Sequence, residues 1–185
     1  AGGAECDLGA EVEAVVAELD PERATKRRWP TGLEAVDALT GGFEGGATFV
    51  VGARSRHCKT ALSCGFTLAT FAAGGSVLQV RYEEAAGAIL RRLASLATGI
   101  PYAAAAVGTL REDERAFFAA TLRGMAAALA DRLWIHCGCT LPEIEGLVSA
   151  LRPWLVIVDT AQKAAQALPG DSNGRHDLKM GALTA

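Results

Sequence analysis

Hydrophobic positions along this chain follow two periods in turn, and the change of period marks the elements. Val12, Val15, Val16 and Leu19 recur at helical spacing and predict a short amphipathic helix over 10–19, stopped near Asp20-Pro21. Thr31 is placed to cap the helix that follows it, and Gly41-Gly42 ends that helix. Ala47 to Val51 is a short apolar run and reads as a buried strand. Helical spacing returns over roughly 59–73, and Gly74-Gly75 turns the chain. Ser76–Tyr82, with Val77, Leu78, Val80 and Tyr82, alternates as a strand does. A helix over 85–98 puts Ile89, Leu90, Leu93 and Leu96 on one face and breaks at Gly99-Ile100-Pro101. Another spans 111–130. Leu133–Cys137 is the third strand, and Leu141-Pro142-Glu143 opens a helix with proline where no N–H is needed. Trp154–Asp159 is a continuous apolar run ending in a carboxylate, the pattern of a strand at the centre of a parallel sheet.

Strands alternating with helices of this length imply right-handed β-α-β crossovers, hence an α/β fold with a mainly parallel sheet flanked by helices. Ligands in such folds bind at the C-terminal ends of the strands. The loop before Lys59, Glu83, His136 and Asp159 all fall at such ends. Residues 1–30 read as a tail, the short helix and a charged linker containing Lys26-Arg27-Arg28; residues 31–185 read as the domain. The 10–19 helix either docks on a neighbouring subunit or packs on its own domain.

Strand, loop, Lys-Thr and helix, in that order, is the layout of a phosphate-binding P-loop. The predicted nucleotide site is Ala53, Arg54, Ser55, Arg56, His57, Cys58, Lys59, Thr60 and Ala61. A helix N-terminus carries unsatisfied N–H groups and partial positive charge, so it holds phosphate. Lys59 would reach the outer phosphates, and the Thr60 hydroxyl would ligate Mg²⁺. The usual pattern has glycine where this chain has Ala53 and Cys58, and Cys58 puts a side chain where backbone should approach phosphate. Asp159 would hold the Mg²⁺ water shell opposite Thr60, or else cap the following turn. Glu83 is the candidate general base, with Glu84 its neighbour; either is otherwise a carboxylate complementing a helix start. Gln162 would contact the γ-phosphate or simply stand on the surface.

Composition narrows the class. Half of the 185 residues are hydrophobic, which argues for a packed core, and no apolar run is long enough to cross a bilayer. Glu5, Asp7, Glu11 and Glu13 occupy the stretch where a signal peptide would be basic and apolar. The net charge of −3 gives no global basic footprint for nucleic acid, so DNA contact would fall to local cations: Lys163, Arg175, His176 and Lys179. Five cysteines in no regular framework suit a reducing cytoplasm. His136-Cys137-Gly138-Cys139 is either a partial metal motif or buried small hydrophobes. Cys58, beside Lys59 at a helix N-terminus, is expected to react faster with a thiol probe than the other four cysteines, and nucleotide is expected to slow it.

Several stretches together resemble the C-terminal motor domain of DnaB-type replicative helicases, which are RecA-like P-loop ATPases. They are Thr31-Gly32-Leu33 through Gly41-Gly42, Ala53 to Thr60, Tyr82-Glu83-Glu84 followed by Arg91-Arg92-Leu93-Ala94-Ser95, Gly108 to Glu114, Cys139 to Ile144, and Val156 to Gln162. The likeness runs from about 25 to 165. That family commonly opens its P-loop with Ala-Arg, as Ala53-Arg54 does here. The resemblance implies a RecA-like core that stops short at its C-terminal end. It implies ATP and Mg²⁺ as cofactors, with Lys59 and Thr60 on nucleotide and metal, Glu83 activating water, Asp159 supporting Mg²⁺ and Gln162 sensing phosphate. Single-stranded DNA would be the partner, and a homo-oligomeric ring, a hexamer, the assembly, with helix 10–19 docking between subunits. Residues 167–174 look more like the loop of RepA-type hexameric ATPases. The expected function is an ATP-driven helicase motor; the alternative is a RecA-like nucleotide-binding module with weak or no turnover, serving assembly or regulation.

Overall fold

The strand expected over 76–82 is the one around which the sheet forms. A computed structural model of the chain describes residues 7–19, 28–54 and 57–166. Ser55, Arg56, the stretch 167–174, Arg175, His176 and Lys179 lie outside the described residues, as do Cys6 and most of the 22–30 linker. In chain order the elements are α1 (Leu8–Glu18), β1 (Arg28–Trp29), α2 (Glu34–Thr40), β2 (Phe43–Glu44), α3 (Lys59–Ala72), β3 (Val77–Arg81), α4 (Ala86–Thr98), α5 (Tyr102–Val107), α6 (Glu112–Ala128), β4 (Leu133–Cys137), α7 (Leu141–Leu151), β5 (Leu155–Asp159) and α8 (Ala161–Gln166). The strands expected over 76–82, 133–137 and 154–159 are β3, β4 and β5, and helices occupy the stretches predicted for them. The short α5 had no counterpart in the sequence reading.

Strand β3 pairs in parallel with β4 on one side and β5 on the other, giving the order β4-β3-β5. Every position of β3 is buried. Its period of two sorts the side chains. Leu78 and Val80 turn to α7, where they pack with Cys139 and Ile144. Gln79 and Arg81 turn to the opposite face and bond to side chains of α3. On that second face Cys64, Ile89 and Leu93 form a buried cluster with Leu68, Met125, Leu133 and Ile135. Each fully buried Leu or Ile contributes about 1.5–3 kcal/mol, which makes α4, clasped between α3 and α6, the main apolar brace of the sheet.

Two strand expectations are corrected. Ala47–Val51 is not a strand: it has no ladder partner among the described residues, and Phe49, Val50 and Val51 are 44%, 76% and 47% exposed. A strand exists through a neighbour that takes its N–H and C=O groups, and among the described residues no second strand lies beside β5 to do so. Phe49 is anchored instead by an edge-to-face contact with Phe43 at 5.1 Å. For the same reason the Trp154–Asp159 run, expected at the sheet centre, forms β5 at its edge and is half-buried throughout. The apolar stripe of α4 is also narrower than expected: Ile89 and Leu93 are buried, whereas Leu90 and Leu96 are 36% and 50% exposed.

Ahead of the sheet, Arg28 and Trp29, read as linker, form an antiparallel ribbon with Phe43 and Glu44. The Arg28 guanidinium donates to the Thr40 carbonyl and to Glu44, both at 2.6 Å. Trp29 stacks on Trp154 with centroids 3.7 Å apart, which ties the ribbon to the start of β5. Gly75 makes room for that pair, since a Cβ there would stand 2.3 Å from the Trp154 ring. Gly41 closes α2 in the left-handed region at φ 73, as expected. Thr31 does not cap α2, whose N-cap is Leu33. The buried Thr31 instead donates from its N–H (2.8 Å) and hydroxyl (2.7 Å) to the Asp37 carboxylate, while its oxygen accepts from Leu33 N–H. Helix α1 forms as predicted, capped by Asp7, with Val12, Val15 and Val16 exposed rather than packed on the domain.

The Leu93→Ala substitution should lower unfolding free energy by about 2–5 kcal/mol, because it opens a cavity between α3, α4 and the sheet. Leu96→Ala, half exposed on the same helix, should stay within about 1 kcal/mol of wild type. Urea unfolding monitored by circular dichroism checks both, and equal losses would contradict the packing described. The hydrogen bonds from Thr31 hold the Asp37 carboxyl below the usual carboxylate range. Its stabilisation is therefore present above the unfolded value of about 3.9 and is lost as pH falls through the lower, folded value. Melting temperatures of wild type and Asp37→Asn should differ most at neutral pH and converge below about pH 3.

Candidate functional site

Lys59 and Thr60 are the first two residues of α3. The residue before them, Cys58, sits in the left-handed region at φ 58, ψ 16. A side chain in that conformation costs about 1–2 kcal/mol, which is the backbone reason that P-loop patterns place glycine there. The Lys59 ammonium donates to the carbonyl oxygens of Ala53 (2.9 Å) and Arg54 (3.1 Å), folding the loop onto its own lysine. His57 N–H closes a turn onto the Arg54 carbonyl at 3.3 Å. Ala61 is half-buried on the first turn of α3.

The distant half of the site meets this loop directly. Thr60 Oγ1 donates to Asp159 Oδ2 at 2.9 Å across 99 positions of sequence. A hydroxyl beside a carboxylate is a donor set suited to a hard divalent cation. Asp159 Oδ2, however, also accepts a 2.5 Å ion pair from Arg81. The residues present do not fit a metal held through Asp159, because its charge is already matched by a guanidinium that is 1% exposed.

Arg81 belongs to a buried ladder that the sequence reading missed. Its Nε (3.0 Å) and one terminal nitrogen (2.6 Å) donate to Gln79 Oε1, and the same nitrogen donates to Ser63 Oγ at 3.0 Å. Gln79 Nε2 donates to Thr67 Oγ1 at 2.6 Å. The signal was present as two matching polar rows: Gln79 and Arg81 two apart on a strand, and Thr60, Ser63 and Thr67 on one face of α3.

The carboxylates after β3 divide. Glu84 is held by two bonds from Arg92 at 2.7 and 3.0 Å, and Arg92 lies over the Tyr102 ring at 4.2 Å. The Arg92 hydrogen bond keeps the Glu84 carboxyl below its ordinary range. This engagement commits the Glu84 carboxylate to Arg92. Glu83 is exposed and lies 3.4 Å from the Lys163 ammonium. Gln162, one residue earlier on α8, is exposed. His136 is half-buried on β4; Cys139 is buried and accepts at its carbonyl from the Tyr82 hydroxyl. Among the described residues no group of three or more His, Cys, Asp or Glu side chains is placed to hold a metal. Burial pushes the Cys64 thiol up to about 11. Cys137 is exposed like Cys58, so exposure alone does not single out Cys58.

A parallel sheet with a lysine-threonine helix start against a strand-end aspartate defines a RecA-like α/β core. Residues 29–153 match the family model of the DnaB-like helicase C-terminal domain, and the chain belongs to that family. Such domains are helicase modules of DNA replication and in general use ATP and Mg²⁺. A search of curated proteins finds no match. Among the described residues no helix is long and apolar enough to cross a membrane.

Replacing Cys58 with glycine should relieve the left-handed strain and raise unfolding free energy by up to about 1–2 kcal/mol. Cys58→Ala, which keeps a Cβ, should not. Parallel denaturation curves of the two variants test this, and a destabilised glycine variant would contradict it.

Proposed function

We propose that this chain binds ATP at the N-terminus of α3 and serves as the motor domain of a DnaB-like helicase, acting on single-stranded DNA in a ring of like subunits. The observation that supports the reading is the 2.9 Å contact between Thr60 and Asp159, which sets the start of α3 against the C-terminal end of β5. Lys59 exchanges its two loop carbonyls for the outer phosphates. Glu83 orients the attacking water once it parts from Lys163, and Gln162 senses the γ-phosphate. Mg²⁺, when bound, would be carried on the nucleotide's own phosphates rather than held through Asp159. The exposed apolar side of α1 seats on the next subunit, and an arginine from that subunit completes the site. Lys163, Arg175 and Lys179 are the cations proposed to contact DNA phosphates.

A second reading, a nucleotide-binding module with weak or no turnover, is favoured by two particulars: the cysteine in the left-handed position of the loop, and the ammonium that occupies Glu83. One experiment separates them. ATP binding and phosphate release are measured for wild type, Lys59→Ala and Cys58→Gly. Wild type should bind ATP and Lys59→Ala should bind about tenfold more weakly or worse, as the loss of a charged phosphate contact requires. Release by wild type, or release restored by Cys58→Gly, supports the motor. Binding without release in either supports the module, and no binding at all sinks both.

A further inference from the structure

The geometry points to Arg81 as a resident counter-ion of Asp159, so that nucleotide binding at the start of α3 does not depend on Mg²⁺ held by the protein. This rests on the nucleotide-binding reading above.

A strand-end carboxylate is useful to a divalent cation because it brings uncompensated negative charge. Here that charge is compensated from inside the fold. The Arg81 guanidinium cannot lose its proton, so its charge is permanent at any pH the protein meets. It is fixed in place by the Gln79 carbonyl, the Ser63 hydroxyl and Asp159, and it is fully buried. Solvent and salt therefore screen it little. Both contacts of Asp159, from Thr60 and from Arg81, fall on the same oxygen, Oδ2. A hydrated cation approaching this carboxylate meets a guanidinium already at 2.5 Å from it.

Mg²⁺ strengthens nucleotide binding only as far as the protein binds the two together better than apart, a coupling that is reciprocal. With Asp159 paired internally that coupling shrinks. A fluorescent ATP analogue titrated into the whole chain, once with excess Mg²⁺ and once with EDTA, reads it directly. The expected ratio of the two dissociation constants is below about fivefold, the lower limit of ordinary coupling. In Arg81→Gln, which keeps hydrogen-bonding capacity but frees the Asp159 charge, the ratio should rise above about tenfold in favour of Mg²⁺.

A wild-type ratio of fivefold or more overturns the proposal. So does a folded Arg81→Gln variant whose ratio stays at the wild-type value. Where that variant fails to fold, the wild-type ratio decides alone. Absence of binding with and without Mg²⁺ overturns the phosphate-site reading itself, and this inference with it, and is recognisable because neither titration saturates.

Discussion

The parallel register that sets Arg81 beside Asp159 is the constraint on which the rest of the molecule depends. It brings the C-terminal ends of β3, β4 and β5 level, with Cys137 opposite Arg81 on the other side. A slip of one residue would turn Gln79 and Arg81 toward the apolar face occupied by Leu78, Val80 and Ile144. A guanidinium stranded there without its carboxylate would cost several kcal/mol. The polar ladder therefore does for this sheet what a buried asparagine does for a coiled coil: it rejects the wrong register more than it stabilises the right one.

The ladder also explains why α3 carries so many hydroxyls toward the sheet. Ser63 donates to the Thr60 carbonyl, Thr67 to the Ser63 carbonyl and Thr70 to the Phe66 carbonyl, at 2.8–2.9 Å. Each hydroxyl proton is thus committed to the helix, and the oxygens of Ser63 and Thr67 remain to accept from Arg81 and Gln79. The direction of every bond is set, which lets a buried strand carry an arginine and a glutamine side by side. Apolar packing on this face is carried by Cys64, Ile89 and Leu93. The rim end of α3 is thus fixed to the sheet by directional bonds, and that fixes where Lys59 and Thr60 stand.

Most of the secondary structure was legible because it was written in periodicity. Helices α3, α4, α6 and α7 and strands β3, β4 and β5 all announce themselves through spacing and through Gly or Pro at their ends. The order and spacing of motifs likewise pointed to the family. What the pattern could not show was company. Ala47–Val51 has the composition of a strand but no ladder partner among the described residues, and nothing local to a sequence states whether a neighbour exists. Trp154–Asp159 has the composition of a central strand and lies at an edge for the same reason. Arg81 escaped notice because an arginine on a strand reads as a solvent-facing position; its burial is decided by Asp159, 78 residues away. Glu84 read as a neighbour that could stand in for Glu83; Arg92, nearly two turns into the next helix, holds it in an ion pair.

The loop before α3, where phosphate is proposed to bind, shows how local strain and local satisfaction would bear on affinity. Cys58 occupies a conformation that disfavours it, while Lys59 is satisfied by two carbonyls of the same loop. A phosphate group at the proposed site would have to outcompete those two bonds before Lys59 contributed anything, and the net gain would be the difference between a charge-assisted bond to an anion and one to neutral carbonyls. The strain at Cys58 acts differently. If the loop keeps φ near 58° when it closes on a ligand, the strain is common to both states and leaves affinity untouched while lowering stability. If the loop relaxes, the strain favours the form that lets Cys58 leave the left-handed region. The same substitution, Cys58→Gly, thus bears on stability in the first case and on both stability and affinity in the second.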